Sequence, residues 1–202
     1  PLTPIRLSAE HMREVWQRDP GHFDRVFGRC TTNILSQVEE LRTIASDFSA
    51  YSALLEIDPR PGDLAGAVTD LVEGYRAAPP AGVSVDLAVD GPLPARFDAK
   101  LLQRAVRNIL DNALRAAGAG GGHVLVRVHR ENGAARIAVL DDGPGVRPEN
   151  LPRIFDPYFS THDTGTGLGL PIARRVVEEQ GGAITARNRT GGGLEVAITL
   201  PM

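Results

Sequence analysis

"DAKLLQRAVRNILDNALRAA" (98–117) is the stretch on which the reading of this chain turns. It reads as a strong helix, and Asp98 suits the N-cap position, where a short side-chain oxygen accepts an orphan backbone N–H. Asn108 and Asn112 stand four residues apart and share a helix face, with Arg115 three further on at roughly the same side. Paired amides facing a pocket can hold a hard cation through their carbonyl oxygens, alongside phosphate oxygens. An arginine beside them can meet a phosphate. Alone, the pair reads as ordinary solvated or capping asparagines, so the flanking sequence decides.

Downstream, "VLDDGPGV" (139–146) places Asp141 at a strand end, ahead of Gly143 and Gly145. Glycines at a strand exit let the backbone approach a ligand, and a carboxylate there can accept from an exocyclic amine. On its own this is also a common Asp-Gly turn. Further on, "TGTGLGLPIARRV" (164–176) alternates Gly165, Gly167 and Gly169 and runs into a helix. Exposed N–H groups, no Cβ obstruction and the positive end of a helix dipole suit phosphate. It is not the dinucleotide fingerprint, because "FSTHDT" (159–164) precedes it instead of a strand. By itself it is equally a flexible lid or linker.

The elements around these motifs alternate in type. A short helix is expected at about 63–77 and a strand at "VSVDLAV" (83–89). "HVLVRVHR" (123–130) and "ARIAVLD" (135–141) flank Glu131-Asn132-Gly133, a hairpin signature. "LPIARRVVEEQGG" (170–182) is a helix stopped by glycines. "AITARNR" (183–189) and "LEVAITLP" (194–201) close a second hairpin around Thr190-Gly191-Gly192-Gly193. The pattern predicts an α+β sandwich over 63–202.

Upstream the period is different. Leu2, Ile5, Ala9, Met12 and Trp16 form one helical stripe, and "QRDPGH" (17–22) interrupts it with a Pro-Gly turn. Phe27, Cys30, Ile34, Gln37, Leu41, Ile44, Phe48, Tyr51 and Leu55 then form a seam of about four heptads with Gln37 its one polar member. One hairpin buries such a stripe poorly; two hairpins would make a dimeric four-helix bundle. The expected division is a helical hairpin over 1–57, a Pro/Gly linker over 58–62 and the sandwich over 63–202.

Composition narrows the classes. A hydrophobic share of 42% with 23% charged residues fits a globular chain. A net charge of −3 gives no global field toward nucleic acid or an acidic membrane, so neither is expected as a partner of this chain. Cys30 is the one cysteine, which excludes an internal disulfide. No apolar run approaches the ~18 residues a membrane helix needs.

In order, the asparagine helix, Asp141-x-Gly143-x-Gly145, "IFDPYFST" (154–161), "GTGLGL" (165–170) and the closing hairpin resemble the GHKL ATPase superfamily, and within it the catalytic domain of bacterial sensor histidine kinases. The N-terminal hairpin resembles their dimerisation and phosphotransfer domain. "PLTPIRLSAE" (1–10) and "FSAYSALLE" (48–56) look most like the nitrogen-regulation sensors, of the NtrY and NtrB kind.

The resemblance implies a Bergerat-type α/β sandwich that binds ATP and Mg²⁺. Asp141 would accept the adenine amine, favouring ATP over GTP. Asn112 would coordinate Mg²⁺, with Asn108 beside it. Gly143 and Gly145 would shape the adenine pocket, and Arg115 would touch phosphate. Gly165, Thr166, Gly167, Leu168 and Gly169 would form the hinge of a lid over the triphosphate, with Phe155 and Phe159 packing its base. His162 stands where these kinases commonly carry a lysine.

The implied function is the cytoplasmic core of a kinase, whose parent can be anchored in the bacterial inner membrane. It would phosphorylate a histidine of its own dimer and pass the phosphate to an aspartate of a response-regulator receiver domain. That histidine is expected five residues before Pro1, with its acidic neighbour four before. None of His11, His22, His123, His129 and His162 has the acceptor context. The chain as it stands is expected to bind ATP and dimerise without autophosphorylating. The competing readings are a nucleotide-responsive dimeric scaffold without kinase activity, and another GHKL ATPase or protein serine kinase.

Overall fold

The computed structural model describes residues 2–52, 56–118, 121–160 and 166–202. They fall into two compact units that divide after Ser52.

The first unit is a helical hairpin. Helix α1 (Leu2–Arg18) and helix α2 (Phe23–Ser52) flank a 3-10 turn at Pro20–His22. Proline's fixed φ and missing N–H break the helix there, and the Asp19 carboxylate ties the turn to the His22 ring at 2.7 Å. The inner face of α2 follows heptad spacing through Val26, Cys30, Ile34, Gln37, Leu41 and Ile44. Phe27, expected to open that seam, is instead 49% exposed. On α1 the inward residues are Ile5, Ser8, Met12 and Val15. Leu2 (70% exposed) and Trp16 (61%), read from sequence as part of the inner stripe, face outward. Ser8 is buried because Asn33 Nδ2 donates to its Oγ across the hairpin at 2.9 Å. Leu55 lies outside the described residues.

The second unit is α+β. Its five-stranded sheet has the order β2-β4-β5-β7-β6. The strands are β2 (Ser84–Val89), β4 (His123–Glu131), β5 (Ala134–Asp141), β6 (Ala183–Asn188) and β7 (Leu194–Pro201). β2 and β4 are parallel, joined through helix α4 (Ala99–Gly118); the other pairs are antiparallel. Helices α3 (Leu64–Ala77), α4 and α5 (Gly169–Glu179) pack with the sheet. Leu64, Val68, Leu102, Val106 and Ile109 of the helices and Val124, Val126, Ile137 and Ile198 of the sheet are buried in the core. Each such side chain removed from water contributes roughly 1.5–3 kcal/mol. Asp98 caps α4 as its sequence suggests, accepting from Leu101 N–H at 3.1 Å. Asn132 (φ 50°) and Gly133 (φ 82°) make the tight β4–β5 turn, both left-handed as the primed hairpin turns require.

Residues 58–62 do not run free. Arg60 to Asp63 form β1, antiparallel to β3 (Pro94–Phe97), and Asp58 N–H reaches the Asp98 carboxylate at 3.2 Å. The stretch expected as a linker is thus integrated into the second unit. Asp63, the last residue of β1, caps α3 by accepting from Ala65 N–H at 3.1 Å.

Candidate nucleotide site

Helix α4 carries the asparagines. Asn108 is half-buried, and its Nδ2 is the one buried side-chain polar atom without a hydrogen-bond partner among the described residues. An unpaired buried donor costs about 1–3 kcal/mol, which a ligand acceptor would recover. Asn112 is half-buried one turn on, and Arg115 is exposed. The first turn of α5 lies alongside: a Cβ on Gly169 would stand 3.9 Å from the Asn108 Cβ. The N–H groups that open α5 therefore share a space with Asn108, which suits an anion.

Asp141 ends β5 and is buried. Its Oδ1 accepts two backbone N–H groups, Gly143 at 2.9 Å and Leu194 at 3.2 Å. Its Oδ2 accepts none from the described residues and is the atom free to meet a ligand donor. Burial pushes the Asp141 carboxyl up; the two N–H groups and the nearby Arg189 guanidinium oppose that without cancelling it. Gly143 brings this strand exit onto α4, since any Cβ there would stand 2.9 Å from the Ala116 carbonyl oxygen. The amine acceptor and the asparagine helix are thereby held together. Gly145 follows in the same loop, against the Asn188 side chain.

The "IFDPYFS" segment (154–160) lies against the residues that enter α5. Tyr158 N–H donates to the Gly167 carbonyl at 3.0 Å. Gly167 has φ +65°, and a Cβ on it would stand 2.6 Å from the Tyr158 carbonyl carbon, so no other residue fits. Leu168 N–H reaches Thr166 Oγ1 at 3.2 Å, and Leu168 itself is buried. Phe155 and Phe159 are half-buried, with the Arg153 guanidinium 4.6 Å above the Phe159 ring. Gly165 and His162 lie outside the described residues.

Three residues that contact the site from the β6–β7 hairpin have no counterpart in the sequence reading. Leu194 holds Asp141 through its backbone, Arg189 donates to the Asp141 carbonyl oxygen, and Asn188 binds Val146. The run of glycines at 191–193 signals a turn and says nothing of what the turn rests on.

Comparison with known proteins agrees with this geometry. Residues 97–202 match the family described as histidine kinase-, DNA gyrase B-, and HSP90-like ATPase. The nitrogen regulation protein NtrY of Azorhizobium caulinodans is 33% identical over 99% of this chain and 27% of its own length. The solved structure of the mycobacterial sensor histidine kinase MprB is 30% identical, with a TM-score of 0.63 over 71% of this chain and 97% of that one. Full-length ShkA, solved in complex with AMPPNP, is 29% identical, with a TM-score of 0.75 over 88% of this chain and 39% of that one. The chain spans about a quarter to a half of the length of the first curated relatives it matches.

Proposed function

Because the chain belongs to the histidine kinase-, DNA gyrase B- and HSP90-like ATPases, among the sensor histidine kinases, we propose that it is the ATP-using core of a two-component kinase. The observation that carries this is the asymmetry of Asp141: one carboxylate oxygen is saturated by backbone N–H groups and the other is left to accept. Adenine offers an amine to that oxygen where guanine offers a carbonyl, so the same atom selects ATP. The triphosphate then extends toward Asn108, Asn112 and the start of α5, with Arg115 on the outer side. AMPPNP in the ShkA complex, as an ATP analogue, supports this reading.

The residues present fit Mg²⁺. Among the described residues no three His, Cys, Asp or Glu side chains gather to hold a metal. The amide oxygens of Asn112 and Asn108 are hard donors that suit a cation carried in by phosphate oxygens. Asn112 would hold the ion, and Asn108 would steady the metal–phosphate end. The ion held there would supply charge neutralisation at the transferred phosphoryl group. The chain's own part is positioning: Asp141 fixes the base, Gly143 and Gly145 give it room, and the α5 N–H groups meet the phosphates. Gly165 to Gly169 hinge the lid, and Phe155 and Phe159 pack beneath it.

The acceptor in this reading is a histidine of the parent protein, on a hairpin that pairs with a second copy. Exposed Phe27, Leu35 and Val38 support the pairing, since they form a second apolar stripe on α2. The phosphate passes to a response-regulator receiver domain. Similarity to NtrY supports a role in nitrogen regulation, and in this reading the core works on the cytoplasmic side. No helix among the described residues is long and apolar enough to cross a membrane.

Calorimetric titration with ATP, with and without Mg²⁺, tests the site. Wild-type binding should strengthen with Mg²⁺, and Asp141→Asn should weaken it by roughly 100-fold, because a donor then faces the adenine amine. Equal affinity in both proteins would sink the assignment.

A further inference from the structure

The β5–β7 ladder stops at the Leu140–Glu195 pair. One residue beyond, side chains take over from backbone rungs. Leu194 N–H turns to the Asp141 carboxylate, and the Asp141 main-chain carbonyl accepts the Arg189 guanidinium instead. Gly193 (φ +87°) lies flat on that carbonyl, where any side chain would collide with it. On β6, the Asn188 amide donates to the Val146 carbonyl at 2.6 Å and accepts Val146 N–H at 2.9 Å. One side chain thus supplies both bonds that a neighbouring strand would give. A Cβ on Gly145 would stand 2.9 Å from the same Asn188 oxygen. The loop from Asp141 to Val146 is therefore held at its first residue by Arg189 and at its last by Asn188.

Resting on the nucleotide reading above, we infer that Asn188 and Arg189 are positioning residues for base recognition: they clamp both ends of the 141–146 loop to the β6–β7 hairpin and so aim Asp141 Oδ2 at the exocyclic amine. They act through the loop, and their effect is confined to the part of the affinity that depends on the amine. Arg189 also offsets some of the charge penalty of burying Asp141.

The test compares ATP with purine riboside triphosphate, which lacks the amine, by calorimetry on wild type, Asn188→Ala and Arg189→Ala. Wild type should prefer ATP by at least about tenfold, the worth of one charge-assisted hydrogen bond. Each variant should weaken ATP by about tenfold and leave the analogue within about twofold, so the preference collapses. Arg189→Lys, which keeps the charge and a donor, should restore part of it; Asn188→Asp, which keeps the acceptor and loses the donor, serves where the alanine variant does not fold. Parallel weakening of both nucleotides, or unchanged preference, overturns the assignment of these two residues alone. A wild-type chain that takes both nucleotides equally, or neither, overturns the reading of Asp141 and this inference with it.

Discussion

Asp141 and Asn108 are two polar groups that folding leaves worse off than water would. Burial raises the Asp141 carboxyl above its ordinary value, despite the backbone donors on Oδ1. A carboxyl raised on folding favours the fold fully below its unfolded pKa of about 3.9, and that advantage is lost as pH rises through the higher folded value. At neutral pH the ionised side chain is therefore a net cost to the fold. Asp141→Asn should melt higher than wild type at pH 7, by about 2–4 °C, with the gap closing as pH falls toward 4. A melting series from pH 4 to 8 reads this, and a lower melting point for the variant at neutral pH would contradict it. Asn108→Ala removes the unpaired Nδ2. It should leave the melting temperature within about 2 °C, because relief of the orphan donor offsets the lost volume, while Mg-ATP affinity falls at least about tenfold. Calorimetry and thermal melts on the same samples separate the two effects.

At the scale of elements, local chemistry made α4 and the β4–β5 hairpin readable, since an Asp cap and an Asn-Gly turn act within a few residues of themselves. Strands β1 and β3 escaped because each is four residues long, and prolines and a glycine mask any alternation. Ser8 escaped because polarity hid its burial; only Asn33, 25 residues away, makes that position tolerable. In the site, residues brought together by an element's own face were legible. The Asn188 and Arg189 contacts were not, because they span 42 and 48 residues and nothing in the local pattern announces them.

Glu195 shows the same distance problem on the sheet. Buried on β7, it accepts from Arg136 of β5 at 2.9 Å and from Arg187 of β6 at 2.8 Å, binding three strands through one carboxylate. Burial alone would push its carboxyl up, but the two guanidinium groups overcome that and hold it below the usual range. Its sign is thus opposite to that of Asp141: the stability it gives is present above the unfolded value of about 4.3 and is lost as pH falls through the lower folded value. Glu195→Gln should be less stable than wild type at pH 7 by about 1–3 kcal/mol, with the difference fading in the acid limb. Denaturant midpoints at pH 7 and pH 3 give the comparison, and a deficit that persists unchanged at pH 3 would assign the effect to packing instead.

For the whole molecule, every residue assigned to the nucleotide belongs to the second unit, while most of the exposed large apolar side chains among the described residues belong to the first. Leu35 is 60% exposed and Val38 45%, three residues apart on α2, outside the seam that Cys30, Ile34, Gln37 and Leu41 turn toward α1. Such a stripe on a 30-residue helix is covered when a second hairpin packs against it, with the crossing geometry of a four-helix bundle. Placing carboxylates there would bury unpaired charge in that contact. Leu35→Glu combined with Val38→Glu should weaken self-association by at least about 100-fold in sedimentation equilibrium, leaving a monomer at micromolar concentration. Because the stripe and the site lie in different units, ATP affinity of that monomer should stay within about twofold of wild type. A double variant that still sediments as a dimer would remove the stripe from the interface. Loss of ATP binding on dissociation would mean that the second unit needs the dimer to hold its nucleotide, which nothing in the bonding of Asp141, Asn108 or α5 requires.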